Sequence, residues 1–63
     1  MKHSEENLRA RCNALLIAML GPDLAPQWWN SRNKAFDMFT PEEKWKTDPM
    51  KVYTYLAHQA NRS

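Results

Sequence analysis

The fold of this chain is organised around one stretch, residues 28–45, which reads WWNSRNKAFDMFTPEEKW. It contains all three tryptophans and both phenylalanines of a 63-residue protein. Aromatic side chains at this density either build the hydrophobic core or form a binding surface. The stretch also contains the clearest helix start in the sequence. There Thr40 can cap with its hydroxyl, Pro41 suits the first helical position, and Glu43 can close a capping box.

The length of the chain limits it to a single domain. A domain of roughly 60 residues buries only about 60% of the surface of its unfolded chain and is marginally stable alone. The single cysteine excludes an internal disulfide, and Cys12, His3 and His58 do not make a zinc set, which needs four ligands at short spacing. We expect no metal and no other cofactor. Self-association or a partner is therefore the expected source of additional stability.

Charge and hydropathy exclude several classes of protein. Nine basic and seven acidic residues give a net charge of +2, short of the densely basic face typical of nucleic-acid binding. The N-terminal residues do not have the pattern of a signal peptide. The apolar run at 14–20 is far shorter than the ~20 residues that a membrane span needs. We expect a reduced, cytoplasmic protein that does not contact the membrane.

The first segment, residues 4–20, is predicted to form a helix that Ser4 caps and that Gly21-Pro22 ends. Apolar residues recur along it at helical spacing, and Ile17 widens the stripe toward a second face. A wide stripe on the longest helix of a small domain indicates two contacts, one with the core and one with a second copy. The candidates for a homodimer interface are Leu8, Cys12, Leu15, Ile17 and Met19.

Three further helices are predicted, at about 25–32, 41–46 and 49–60. Asp23 is expected to help cap the second helix, and Asp48 and Pro49 to start the last one. Residues 33–39 form a turn-rich connector, and residues 61–63 are expected to fray. The sequence therefore predicts an all-α fold, a small bundle of four helices whose third member is very short.

Trp28 and Trp29 are adjacent in the predicted second helix, so their side chains point about 100° apart. We expect one of them in the core and the other at the edge of the core or exposed. An exposed tryptophan is the best single candidate for a partner contact, because tryptophan is enriched in interface hot spots.

One set of residues runs through more than half of the chain: Gly21, Ala25, Trp28 with Trp29, Asn33, Phe36, Thr40-Pro41, Trp45, Val52 and Leu56. In these residues the chain resembles the toxin-binding domain of the Xre/MbcA/ParS family of bacterial antitoxins, without a gap between Trp28 and Trp45. It departs from the family where Trp29 replaces an aliphatic residue and Met38 stands at a common glycine. Asp48-Pro49 also replaces a glycine-containing start of the last helix. The family's helix-turn-helix region is not matched, because only one helix precedes Gly21.

The resemblance implies a protein-binding function. Members of the family neutralise a toxin, typically an NAD-consuming enzyme with a RES domain, by covering its active-site cleft, and several dimerise through this domain. The chain would be a stand-alone module of the kind seen in phages or prophages. Its candidate partner-binding residues are an aromatic platform of Trp28, Trp29, Tyr53 and Tyr55 and a projection containing His58 and Arg62. We expect Trp29→Ala to weaken partner binding without unfolding the chain.

Two alternatives stay open. The chain could be a small phage-type regulator that binds DNA through basic residues around the third helix, namely Arg32, Lys34, Lys44, Lys46 and Lys51. It could also act on a host regulatory factor unrelated to any toxin. Enzymatic activity is not expected: Cys12 lies on the apolar stripe, where a buried role is typical. Glu42 and Glu43 are helical neighbours that do not face each other.

Overall fold

The structure of the chain is a computed structural model that describes residues 2–62, with side chains for residues 6–62. The helices are α1 (Lys2–Leu20), α2 (Ala25–Trp28), α3 (Pro41–Thr47) and α4 (Pro49–Arg62), and a 3₁₀ turn lies at Lys34–Phe36. No strand occurs within the described range. The predicted all-α fold with four helices is confirmed.

The first helix begins earlier than predicted and ends where predicted. It starts at Lys2, so Ser4 lies inside the helix and is not its cap. At the other end Gly21 has a φ of +90°, and its N–H donates to the carbonyl of Ile17 at 2.9 Å. Glycine adopts this left-handed conformation without the steric cost of a side chain, which is why the helix stops there.

The second helix is only four residues long and does not reach residue 32. In a longer helix the Trp29 carbonyl would accept from the N–H of Asn33. It accepts instead from the N–H of Glu42 at 3.1 Å, and the N–H of Asn33 donates to the carbonyl of Phe39 at 3.1 Å. These two bonds turn the chain away from the helix axis after Trp28. The expected cap by Asp23 is also wrong, because Leu24 occupies that position and makes no side-chain bond.

The connector after α2 contains two residues in the left-handed region. The side-chain oxygen of Asn33 accepts from the N–H of Ala35 at 2.9 Å and fixes the start of the 3₁₀ turn. Asp37 and Met38 follow with φ of 54° and 69°. Met38 thus adopts a backbone conformation that favours glycine. For a residue with a side chain this conformation costs about 1–2 kcal/mol.

Both remaining helices start with the predicted caps. The Thr40 hydroxyl accepts from the Glu43 N–H at 3.1 Å, and the Glu43 carboxylate accepts from the Thr40 N–H at 2.9 Å, so the capping box is confirmed. The Asp48 carboxylate accepts from the Lys51 N–H at 3.2 Å. The last helix continues to Arg62, so residues 61 and 62 are helical and the predicted fraying is wrong. Ser63 lies outside the described residues.

The core joins every element of the fold. The first and last helices pack against each other, α3 packs on α4, and α2 packs on α1. The buried hydrophobic residues are Cys12, Leu16, Ala25, Trp29, Phe36, Trp45, Val52 and Leu56. Since α1, α2, the 3₁₀ turn, α3 and α4 each contribute to this cluster, loss of one large side chain is felt by the whole domain.

Candidate functional site

The two adjacent tryptophans divide between core and surface. Trp29 is 4% exposed, whereas Trp28 is half-buried and packs against the core from outside. Their rings meet edge to face, with centroids 5.3 Å apart and an interplanar angle of 80°. The expectation that one tryptophan is buried and the other lies at the edge is confirmed. The choice of Trp29 as a partner contact is wrong, because Trp29 is the core member.

The indole of Trp29 is held on several sides within the monomer. Its Nε1–H donates to Oδ1 of Asn13 at 2.8 Å. The guanidinium carbon of Arg9 lies 3.6 Å from the ring centroid, and the ring of Trp45 meets it edge on at 5.6 Å. These contacts leave Trp29 only 4% exposed, too little ring surface to anchor a partner. Removing Trp29 is therefore expected to destabilise the chain strongly, contrary to the prediction from sequence.

Arg9 also joins α1 to the start of α3. Its Nη2 donates to Oε1 of Glu42 at 2.6 Å, and its Nη1 donates to Oε2 at 3.2 Å. The hydrogen bond from Arg9 is the main reason that the pKa of Glu42 lies below its usual value, outweighing partial desolvation of the carboxyl. No local pattern in the sequence singles out Arg9, because its partners lie far along the chain.

Trp28 belongs to a second aromatic group on the other side of the pair. It stacks on Tyr55, with centroids 6.4 Å apart and planes at 17°. Phe36, which is 1% exposed, meets Trp28 edge on at 6.3 Å and Tyr55 at 5.2 Å. Both outer rings are half-buried, so each presents part of its surface while Phe36 holds it from beneath. The result is a fixed aromatic surface.

We call the surface around this stack the Trp28–Tyr55 face. Two grooves meet at Tyr55, one of about 170 Å³ and one of about 480 Å³. Besides the two rings, the face is formed by Met19, Leu20, Met50, Lys51, His58 and Gln59. Its aliphatic members are exposed, Met50 most of all at 56%. Methionine side chains adapt their shape to a partner, which suits a binding surface.

Three of the six predicted partner-binding residues come together on this face: Trp28, Tyr55 and His58. Arg62 is exposed one helical turn beyond His58, on the same side of α4. Tyr53 lies on another side of that helix and packs against the core. Trp29 is inside the core. The sequence therefore predicted three of the eight residues of the face as partner contacts, and it missed the aliphatic border because single exposed aliphatic residues carry no signal of their own.

The five candidates for a dimer interface differ in how far their side chains are buried. Cys12 is 0% exposed, which confirms its predicted burial and contradicts its proposed place in an interface. Burial raises the pKa of its thiol to about 11 against the opposing charge of Arg9. Leu8 and Leu15 are half-buried against the core. Ile17 and Met19, at 48% and 36% exposure, are accessible to a second copy.

The basic residues near α3 do not form an uninterrupted patch. Glu43 lies among them: hydrogen bonds from Thr40 lower its pKa, and the charges of Arg32 and Lys46 lower it further. Within residues 6–62 no three His, Cys, Asp or Glu side chains cluster as a metal site would require. Across the described helices, none combines the length and the apolar character needed to cross a membrane.

Comparison of the chain with protein-family models, curated proteins and solved structures gives no match. The resemblance to the antitoxin domain therefore stays a prediction that depends on the residues that carry it.

Proposed function

We propose that the chain is a protein-binding module that recognises its partner through the Trp28–Tyr55 face. In this proposal it neutralises or modulates that partner, as the toxin-binding domain of an antitoxin does. The supporting observation is the stack of Trp28 on Tyr55 over the buried ring of Phe36. Rings that are already immobilised lose little conformational entropy on binding, and large aromatic anchors contribute much of the energy of interfaces.

The border of the face indicates the chemistry of the partner. Lys51 lines the groove at Tyr55, and Arg62 is exposed beyond His58 on the same side of α4. Asp48, at the start of α4, is the one acidic side chain that lines the grooves of the face. A complementary partner surface has an apolar centre for the rings and acidic residues around it, because opposite charges at the rim favour encounter and orientation.

The dimensions of the protein are compatible with this use. The domain measures 30 × 24 × 22 Å and has an accessible surface of 4710 Å². A standard interface takes about 800 Å² from each partner. One side of the domain, centred on the stack, can supply such an area without involving Trp29 or Arg9.

The proposal is tested by co-expression with a RES-domain toxin in cells whose growth the toxin arrests. The chain should restore growth, and Trp28→Ala should abolish the rescue with a loss of affinity of at least about 30-fold. Leu24→Ala is the matched control, because Leu24 is 51% exposed and does not line either groove of the face. No rescue by the wild-type chain would contradict neutralisation of this toxin class. Equal rescue by both variants would contradict the claim that the partner binds to the Trp28–Tyr55 face.

We propose in addition that the chain forms a homodimer through the side of α1 that carries Ile17, which is 48% exposed. Met19, two positions further on, points away from this side and belongs to the Trp28–Tyr55 face. Sedimentation of the wild-type protein over a range of concentrations should show a dimer that Ile17→Lys converts to a monomer. A monomer at all concentrations would contradict this part of the proposal and leave the Trp28–Tyr55 face unaffected.

A further inference from the structure

A separate cleft of about 450 Å³ lies between α1 and the chain around α2. We call it the Asn13 cleft. Its lining includes Arg9, Asn13, Ile17, Pro22, Pro26 and Asn30. Its volume lies within the range of ligand pockets in proteins. None of these residues lines the grooves of the Trp28–Tyr55 face, so a ligand here would not depend on that face. Ile17 is also the proposed homodimer contact, so a ligand in the cleft and a second copy of the chain would compete for it.

The amide of Asn13 is oriented by the core. Its Oδ1 accepts from the indole N–H of Trp29 at 2.8 Å, which assigns the other side-chain atom as the donor Nδ2. Among the described residues no acceptor is bonded to that Nδ2, and the side-chain amide of Asn30 is likewise without a protein partner. The cleft thus presents one fixed donor and one amide that can both donate and accept.

The opposite end of the cleft is apolar. Ile17 is 48% exposed there, and Pro22 and Pro26 also line the cleft. Arg9, Asn13 and Ile17 follow each other at intervals of four residues along one side of α1, so the cleft runs for about 12 Å along the helix. An extended peptide of three to four residues has about this length.

The charge of the cleft restricts the ligand. Arg9 and Glu42 form an ion pair at the other end, with Nη2 and Oε1 2.6 Å apart, so that end carries no net charge. The remaining polar groups are neutral amides. A phosphate or a carboxylate would find no unpaired cation in the cleft. A peptide main chain, which is neutral and offers both C=O and N–H groups, satisfies both amides.

We propose that the Asn13 cleft binds a short extended peptide segment of another protein. An aliphatic side chain of the segment packs on Ile17, Pro22 and Pro26. A main-chain carbonyl accepts from Nδ2 of Asn13, and the next peptide group pairs with the amide of Asn30. Specificity comes from the aliphatic side chain, since the amides recognise any main chain.

The test uses the full-length protein labelled with ¹⁵N and four probes: Ac-Gly-Leu-Gly-NH₂, Ac-Gly-Gly-Gly-NH₂, Ac-Gly-Asp-Gly-NH₂ and inorganic phosphate. The leucine peptide should shift the side-chain amide signals of Asn13 and Asn30 with a Kd of roughly 1 mM, typical of so small a contact. The other three probes should bind at least about five-fold more weakly, because they lack the aliphatic contact.

Asn30→Ala should weaken binding of the leucine peptide by about five-fold, while Asn7→Ala, on an exposed position of α1 outside the cleft, should not. Both substitutions are at exposed positions, so both variants should fold. Equal binding of all the probes, shifts confined to Trp28 and Tyr55, or no shift at about 10 mM peptide would each overturn the proposal. If the NMR signals of Ile17 shift only when the protein is diluted and not when peptide is added, the cleft is a contact with a second copy of the chain and the proposal is overturned.

Discussion

Trp28 and Trp29 are neighbours in the chain, and the two regions around them are built by different means. Around Trp29 the contacts are polar and long-range: Asn13 accepts from the indole, and Arg9 lies over the ring while it binds Glu42. Around Trp28 the contacts are between aromatic rings, and no described residue accepts from its indole N–H. The first region closes the core, and the second leaves ring surface exposed. A rotation of about 100° along a helix is enough to separate the two roles.

The largest effect is expected for Trp29→Ala. Replacement of a buried aromatic residue by alanine costs about 3–5 kcal/mol. A domain of this size has a total stability of roughly 3–9 kcal/mol, so the variant should lose a third of its stability or more, seen as a large fall of the urea midpoint by circular dichroism. Cooperative unfolding in urea at a midpoint close to that of the wild type would contradict the assignment of Trp29 to the core.

Trp28→Ala should cost less, about 2 kcal/mol, because the side chain is half-buried and its removal opens no enclosed cavity. The variant should remain folded in the same urea titration while it loses partner binding. The comparison between the two regions fails if Trp28→Ala destabilises the protein as much as Trp29→Ala does.

Arg9→Ala should lower the free energy of unfolding by about 1 kcal/mol, since it removes both the contact with the Trp29 ring and a partly exposed ion pair. Arg9→Lys should recover only part of the loss, because lysine has no planar fork for Glu42. Arg11→Ala is the control, since Arg11 is exposed on the same helix. If Arg9→Ala and Arg11→Ala have the same urea midpoint, the contacts of Arg9 with Trp29 and Glu42 do not contribute to stability.

Met38→Gly should stabilise the protein by about 0.5–1 kcal/mol. The left-handed conformation of Met38 costs more than the extra flexibility of glycine in the unfolded chain. Because the Met38 side chain is 51% exposed, little packing is lost. A rise in the thermal midpoint with an unchanged Trp28–Tyr55 stack would show that the backbone strain at Met38 is independent of the binding face. A fall in the midpoint would contradict the claim that Met38 is strained.

The smallest effect is a dependence on pH. The pKa of Glu42 is lower in the folded chain than its ordinary value of 4.5, mainly through the hydrogen bond from Arg9. Its contribution is therefore present above about pH 5 and is lost as the pH falls through 4.5 toward the folded pKa. Glu42→Gln and Arg9→Ala should both flatten the decline of the urea midpoint between about pH 5 and pH 3. An unchanged slope in both variants would contradict the ion pair.

Features of the fold that depend on local chemistry were predictable from the sequence. The capping box at Thr40 and Glu43, the end of α1 at Gly21 and the cap by Asp48 each involve residues within a few positions of one another. Short-range hydrogen bonds and backbone preferences decide such features, and they can be identified without knowledge of the tertiary structure.

The candidate site was only partly predictable, because its decisive contacts join distant parts of the chain. Which of the two tryptophans enters the core depends on Asn13 and Arg9, which come 16 and 20 positions before Trp29. The end of α2 depends on a bond from Glu42 to Trp29. Helical periodicity placed the two tryptophans on different sides and could not decide which side faced inward.

Hydrogen exchange of the tryptophan indole N–H groups, followed by NMR on the wild-type protein, tests the division of roles most directly. The Trp29 indole N–H should exchange far more slowly than that of Trp28, because it is buried and bonded to Asn13. Protection of Trp28 equal to or greater than that of Trp29 would contradict the assignment of one tryptophan to the core and the other to the binding face.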